Sequence, residues 1–143
     1  MPSDSQLRTM NRLHRGLLKV SGGRFGWTAA NMPVLELTTV GRKSGKPRSV
    51  MLTSPHRDGD VIVIVASKGG EDTHPAWFLN LRENAQVVVT TRDSHERQMV
   101  AQVASPESRD RLWPIVIGKH TNYAGYQEKT DREIPLVLLQ PAD

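Results

Sequence analysis

From residue 34 to residue 40 the chain reads Val-Leu-Glu-Leu-Thr-Thr-Val. That alternation of apolar and polar positions predicts a half-buried strand. Residues 48–54 form the next predicted strand. Asp58-Gly59 is a hairpin turn signal, and the nearly continuous apolar run 61–66 predicts a buried strand after it. Residues 87–91 and 98–103 make a further pair, joined by the polar stretch 92–97. The last predicted strand is 134–139, with Pro135 near its start and Pro141 beyond it.

Three segments carry a helical pattern instead. Leu7, Met10, Leu13, Leu17 and Leu18 fall on one face of a helix over about residues 4–21, with Arg8, Arg12, Arg15 and Lys19 around the rest. Gly22-Gly23 ends it. A basic amphipathic helix can lie on an acidic membrane surface, although packing its leucines on its own domain is the commoner use. A second helix follows Pro75, a good first-turn residue, and turns Trp77, Phe78 and Leu81 inward. The third starts at Ser105-Pro106-Glu107, which supplies an N-cap, a first-turn proline and an early carboxylate. It carries Leu112, Trp113 and Val116 and ends before Gly118. Five or six strands with isolated helices predict an α+β domain around a mostly antiparallel sheet or barrel. A parallel sheet would need helices between most strands. At 143 residues, one domain spanning 1–143 is the expectation.

Composition narrows the chemistry. There is no cysteine, which excludes disulfides, thiolate metal sites, iron–sulfur clusters and a cysteine nucleophile. The five histidines are scattered without zinc-site spacing, so no metal site is expected. Neither a Gly-x-Ser-x-Gly elbow nor a Rossmann glycine motif is present. The first residues lack a signal peptide's apolar region, and no apolar run approaches a membrane span. A cytoplasmic address fits, with peripheral membrane contact through the N-terminal helix as an added option. The net charge of +4 favours an anionic partner. Nucleic acid is the poorest such partner, because aromatics are 5% of residues and no nucleic-acid motif occurs.

Four segments bear candidate chemistry. Gly41-Arg42-Lys43-Ser44-Gly45-Lys46-Pro47-Arg48 packs four cations, two glycines and a serine between two predicted strands. Its glycines let backbone N–H groups approach an anion, and its arginines can grip phosphate. Ala66-Ser67-Lys68-Gly69-Gly70 follows the most hydrophobic strand. In His74-Pro75-Ala76-Trp77-Phe78-Leu79-Asn80, Trp77 and Asn80 share a helix face and suit a flat heterocycle with polar edges. Tyr123 and Tyr126, the two tyrosines of the chain, offer proton-donating phenols; Arg132 and Pro135 lie just downstream. Each segment alone is equally compatible with a structural role.

Taken in order, GRKSGKPR, ASKGG, HPAWFLN and YAGYQEKTDREIP resemble the deazaflavin (coenzyme F-420)-dependent nitroreductase family, a branch of the split β-barrel flavin and deazaflavin oxidoreductases. The resemblance implies a split barrel with flanking helices, FMN-binding-like. It also implies hydride transfer from reduced F-420 to a small organic acceptor such as an enone, quinone or nitro compound. By position, it assigns Arg42, Lys43, Ser44 and Arg48 to the cofactor's phosphate and polyglutamate tail. Ser49, Val50, Met51, Leu52 and Thr53 would line the deazaflavin cleft. Val65, Ala66, Ser67, Lys68 and Gly69 would contact the cofactor, and Ala76, Trp77, Phe78, Leu79 and Asn80 would close the site. Tyr123 and Tyr126 would face the acceptor, with Tyr123 and Ser67 serving proton delivery. Members that reduce bulky nitroimidazoles carry tyrosines where His120 and Thr53 stand here, so weak or absent nitroreductase activity is expected. An F-420 carrier with little turnover and an FMN-binding protein are the alternatives. Monomer and homodimer both remain compatible.

Overall fold

The structure, a computed structural model, describes residues 28–29, 32–92 and 94–142. The helix expected over residues 4–21 lies outside them. The strands are β1 (Thr28–Ala29), β2 (Met32–Val40), β3 (Pro47–Thr53), β4 (His56–Asp58), β5 (Val61–Val65), β6 (Gln86–Thr91), β7 (Ser94–Val103) and β8 (Leu136–Pro141). The helices are α1 (Ala76–Glu83), α2 (Pro106–Lys119) and α3 (Asn122–Glu128), and Lys68–Gly70 forms a 3₁₀ turn. Every ladder is antiparallel. The main sheet runs β3-β2-β6-β7-β8-β5-β4, with the two-residue β1 added on β2.

Period-two alternation sorts side chains to the two faces of this curled sheet. Leu35, Leu37, Ile62, Ile64, Val87, Val89, Met99, Val137 and Leu139 point inward and are plugged by Trp77, Phe78 and Leu81 of α1. Val63, Val65 and Leu136 point outward and are covered by Leu112 and Val116 of α2 and Tyr123 of α3. β5 is apolar at every position because both of its faces are buried. Each such aliphatic side chain contributes about 1.5–3 kcal/mol of transfer free energy.

One buried serine closes the barrel. β3 and β4 are separated only by Ser54 and Pro55. Ser54 donates from its backbone N to Pro33 O at 2.9 Å. Its hydroxyl lies 2.9 Å from Val63 O and 3.0 Å from His56 O, so its single proton is shared between them. The two ends of the sheet path therefore meet at this residue. Continuing the β4–β5 register beyond His56↔Val63 would set residue 53 opposite 66 and residue 51 opposite 68. That ladder does not form. β3 pairs with β2 alone among the described residues, so the barrel is split between β3 and the segment that follows β5.

The structure corrects several element boundaries. Eight strands are present among the described residues, against five or six expected, because β1 and β4 are too short and polar to signal themselves. β7 begins within the stretch 92–97 expected to be a connection, since Ser94 already pairs with Thr91. β8 begins two residues later than expected and runs to Pro141. α2 continues through Gly118 to Lys119. Pro114 lies within it, where it removes the helical hydrogen bond to the carbonyl of Asp110; both residues are exposed. Ser105 caps α2 as expected, accepting from Ser108 N at 3.2 Å. The helix α3 was not anticipated.

Candidate functional site

The cationic loop between β2 and β3 is tightly closed. Gly41 N donates to Lys46 O and Gly45 N donates to Gly41 O, both at 2.8 Å. Gly45 takes φ +71, open to glycine. A Cβ on Gly41 would lie 2.7 Å from Ser44 Oγ and 3.1 Å from Lys46 O, so a side chain there would displace Ser44 and crowd the Lys46 carbonyl. Ser44 Oγ accepts from Lys46 N at 3.2 Å and from Arg48 Nη2 at 3.5 Å. Arg42, Lys43, Lys46 and Arg48 are exposed. The ion pairs among the described residues are Lys68–Glu71, Arg109–Glu133 and Arg111–Asp58, so none of these four cations is neutralised by a carboxylate there.

Asn80 fastens this loop to α1. Its Oδ1 accepts from Arg42 N at 3.2 Å and Arg42 Nη1 at 2.9 Å, and its Nδ2 donates to Thr39 Oγ1 at 3.1 Å. Asn80 is 4% exposed. Its amide makes three hydrogen bonds within the protein, two of which hold Arg42 in place.

Across the split, the loop after β5 is shaped by a residue from the far end of the sequence. Arg132 Nη2 donates to Ala66 O at 3.2 Å and Ser67 O at 2.9 Å. Its Nε donates to Glu71 O at 2.8 Å and its Nη1 to His74 Nδ1 at 3.2 Å. Burial pulls the Arg132 pKa below its ordinary value, and Asp72 and Glu71 oppose that. Ser67 is αR, whereas Lys68, Gly69 and Gly70 take φ of 46, 65 and 86. Lys68 pairs with Glu71 at 3.3 Å. A Cβ on Gly70 would meet Tyr126 O at 2.7 Å, which brings α3 directly against this loop.

The remaining sequence-selected residues divide by face. Val50, Leu52 and Leu79 pack partly buried against the inner core, and Ala66, Trp77 and Phe78 belong to it. Val65 joins the outer cluster, Met51 is buried, and Ala76 is exposed. Ser49 Oγ lies 2.8 Å from Thr38 Oγ1. At the closed end of the split, Tyr123 Oη donates to Met32 Sδ at 3.4 Å and lies 3.3 Å from Thr53 Oγ1. The phenol has one proton, so when Met32 takes it Thr53 is the donor to the phenol oxygen. Tyr126 stands edge-on to Tyr123, with ring centroids 6.0 Å apart. Burial raises the Tyr123 pKa above 10; the Thr53 hydrogen bond works against this and Tyr126 adds to it. The phenol therefore stays protonated throughout the neutral range.

Two histidines accept hydrogen bonds from cations. His74 does so from Arg132, and His56 Nδ1 from Lys119 Nζ at 2.9 Å. Burial lowers both pKa values first; Arg132 and Arg82 lower that of His74 further, and Lys119 and Arg111 that of His56, with Asp58 opposing. Each folded pKa lies below the unfolded value of about 6.5. The associated stability is fully present above that value and is lost as pH falls through the folded pKa. The melting temperature should be flat from about pH 7 to 8 and decline below about 6.5. A His74→Asn, His56→Gln double variant, which keeps acceptors that do not titrate, should show a shallower decline. An identical decline in both proteins would remove the histidines as its cause.

Sequence reading missed the reach of Arg132, the closure at Ser54 and the part played by Gln127, which donates to Arg132 O at 2.7 Å and accepts from Ile134 N at 2.9 Å. Arg132 and Gln127 lie inside the YAGYQEKTDREIP segment, which was the available signal. A shallow depression of about 320 Å³ lined by Gly70, Glu71, Asp72, Thr73 and Lys129 carries two carboxylates and does not suit a polyanion.

A curled antiparallel sheet closed at one serine, split along β3 and rimmed by cations unneutralised among the described residues, defines a split-barrel protein equipped for an anionic cofactor. Residues 9–141 match the F-420H(2)-dependent quinone reductase family, and the chain belongs to it. An F-420H(2)-dependent quinone reductase of Mycobacterium tuberculosis is 39% identical over 132 residues, covering 90% of this chain and 87% of the relative. The solved structure of an F-420-H2 dependent reductase, FDR-A, superposes with a TM-score of 0.67 at 37% identity, covering 76% of this chain and 94% of that one. A chain solved as a domain-swapped dimer superposes at 0.70 with 32% identity, covering 92% and 96%. No helix among the described residues is long and apolar enough to cross a membrane.

Proposed function

We propose that this protein uses reduced F-420 to reduce a quinone-type acceptor, with the cofactor's anionic tail on the 41–48 loop and its ring at the Thr53 end of the split. The observation that carries this reading is the set of four exposed cations, Arg42, Lys43, Lys46 and Arg48, unneutralised among the described residues and tied to the fold through Asn80. The donor chemistry fits the group: arginine and lysine suit phosphate and carboxylates, and an αR–αL turn such as Ser67–Lys68 makes a concavity of backbone N–H groups that favours anions. When bound, reduced F-420 supplies the hydride. The chain's own residues supply position, charge neutralisation and a proton. Val50, Leu52 and Leu79 offer apolar surface beside the cleft. Tyr123 keeps its proton at neutral pH, and Thr53, half-buried, links it to the cleft wall. A cytoplasmic location and activity as a monomer or homodimer complete the reading.

Fluorescence quenching with F-420 and with FMN, at two ionic strengths, tests the cofactor. F-420 should bind, and more weakly as salt rises. Stopped-flow oxidation of the bound reduced cofactor by a quinone tests turnover. Tyr123→Phe should lower kcat by roughly tenfold to a hundredfold, at the modest end of general-acid effects, with the Kd for F-420 unchanged. Binding of FMN in place of F-420 would sink the proposal. An unchanged kcat in Tyr123→Phe would remove that residue from proton delivery.

A further inference from the structure

The loop over residues 66–74 keeps a backbone shape that L-residues disfavour. Lys68, at φ 46, is the non-glycine residue with positive φ among the described residues, and Gly69 and Gly70 continue it. Such conformations persist where the surroundings over-determine them, and they cluster at ligand clamps. Here the surroundings are one guanidinium. Arg132 holds Ala66 O and Ser67 O on one side of the unusual stretch and Glu71 O and His74 Nδ1 on the other. These bonds commit four of its five N–H groups to the protein.

We propose that Arg132 is a positioning residue for the cofactor: it fixes the Ser67–Lys68 turn in the shape that faces β3 across the split, and so sets affinity for F-420 without touching it. The proposal rests on the reading of the cofactor given above. A lysine cannot substitute, because a single ammonium with three donors lacks the planar fork that reaches acceptors on both sides of the turn. His74 belongs to the same device. Its ring packs at a tilt of 41° against Phe78 of α1 with centroids 4.6 Å apart, so Arg132 also links the loop to that helix.

The test uses full-length protein. Arg132→Lys should weaken F-420 binding by about tenfold, equivalent to about 1.4 kcal/mol. The KM for F-420 should rise by more than kcat at saturating F-420 falls, because the Tyr123 phenol itself is left in place. Amide hydrogen exchange should accelerate over residues 66–74 and stay unchanged in β5 and β8. If Arg132→Lys does not fold, His74→Leu removes one anchor and should shift binding and exchange the same way, by about threefold in Kd, with His74→Asn restoring both. A general loss of stability would instead raise exchange throughout and lower the active fraction at unchanged Kd, which would overturn the proposal. So would unaltered exchange in the loop, or a loosened loop with wild-type affinity. A wild-type protein that ignores F-420 defeats the proposed function and the cofactor half of this inference together. Wild-type binding matched by the variants defeats this inference alone.

Discussion

Replacing Lys43 and Arg48 together by alanine should weaken F-420 binding by about a hundredfold at low ionic strength and flatten its dependence on salt. Hydrogen bonds to charged groups contribute about 1.5–3 kcal/mol each, and about 1.4 kcal/mol is a factor of ten. Both side chains are exposed, and neither forms an ion pair among the described residues. Stability should therefore change by no more than about 0.5 kcal/mol. The two effects separate cleanly: quenching titrations at two salt concentrations report the affinity, and a thermal melt reports the fold. A double variant that binds like wild type would show that the tail lies elsewhere. A uniform drop in affinity with the salt slope intact would point to the loop's shape instead of its charge.

Asn80→Ala should lower stability by about 2–3 kcal/mol, because it deletes three hydrogen bonds, one of them to buried Thr39. For a chain of this length that corresponds to a fall in melting temperature of roughly 8 °C. Affinity for F-420 should fall with it, since Arg42 loses both of its bonds to Asn80. Asn80→Asp keeps the acceptor for Arg42 and loses only the donor to Thr39, so it should fall between the alanine variant and wild type in both measurements. A wild-type melting temperature in Asn80→Ala would show that these three bonds do not hold the loop to α1.

These two sites show where sequence reading succeeds and where it stops. The charge and glycine content of residues 41–48 are local properties, so the loop was recognisable from its own residues. Asn80 was recognisable as important, but the protein groups it bonds were not. Its partners Thr39 and Arg42 are 41 and 38 residues away, and no pattern within a helix indicates which distant groups an amide will meet. Arg132 is the stronger case, since its four acceptors lie 58 to 66 residues back. The strands with strong apolar signals, β2, β3, β5 and β6, were found within a residue or two. The missed elements had weak local signals. β4 is His-Arg-Asp with no apolar residue. β7 opens on Ser-His-Glu-Arg, which reads as a linker until its pairing with β6 is seen. α3 is a seven-residue helix with a central glycine and no side-chain cap, held by burying Tyr123 and not by its own propensity.

The closure at Ser54 has a geometric outcome. Thr53 sits beside the closure and Arg48 lies near the far end of the same strand. Enlarging the side chain at position 54 should therefore disturb the Thr53–Tyr123 end before it reaches the cationic loop, so the choice of quinone should change before the hold on the anionic tail does.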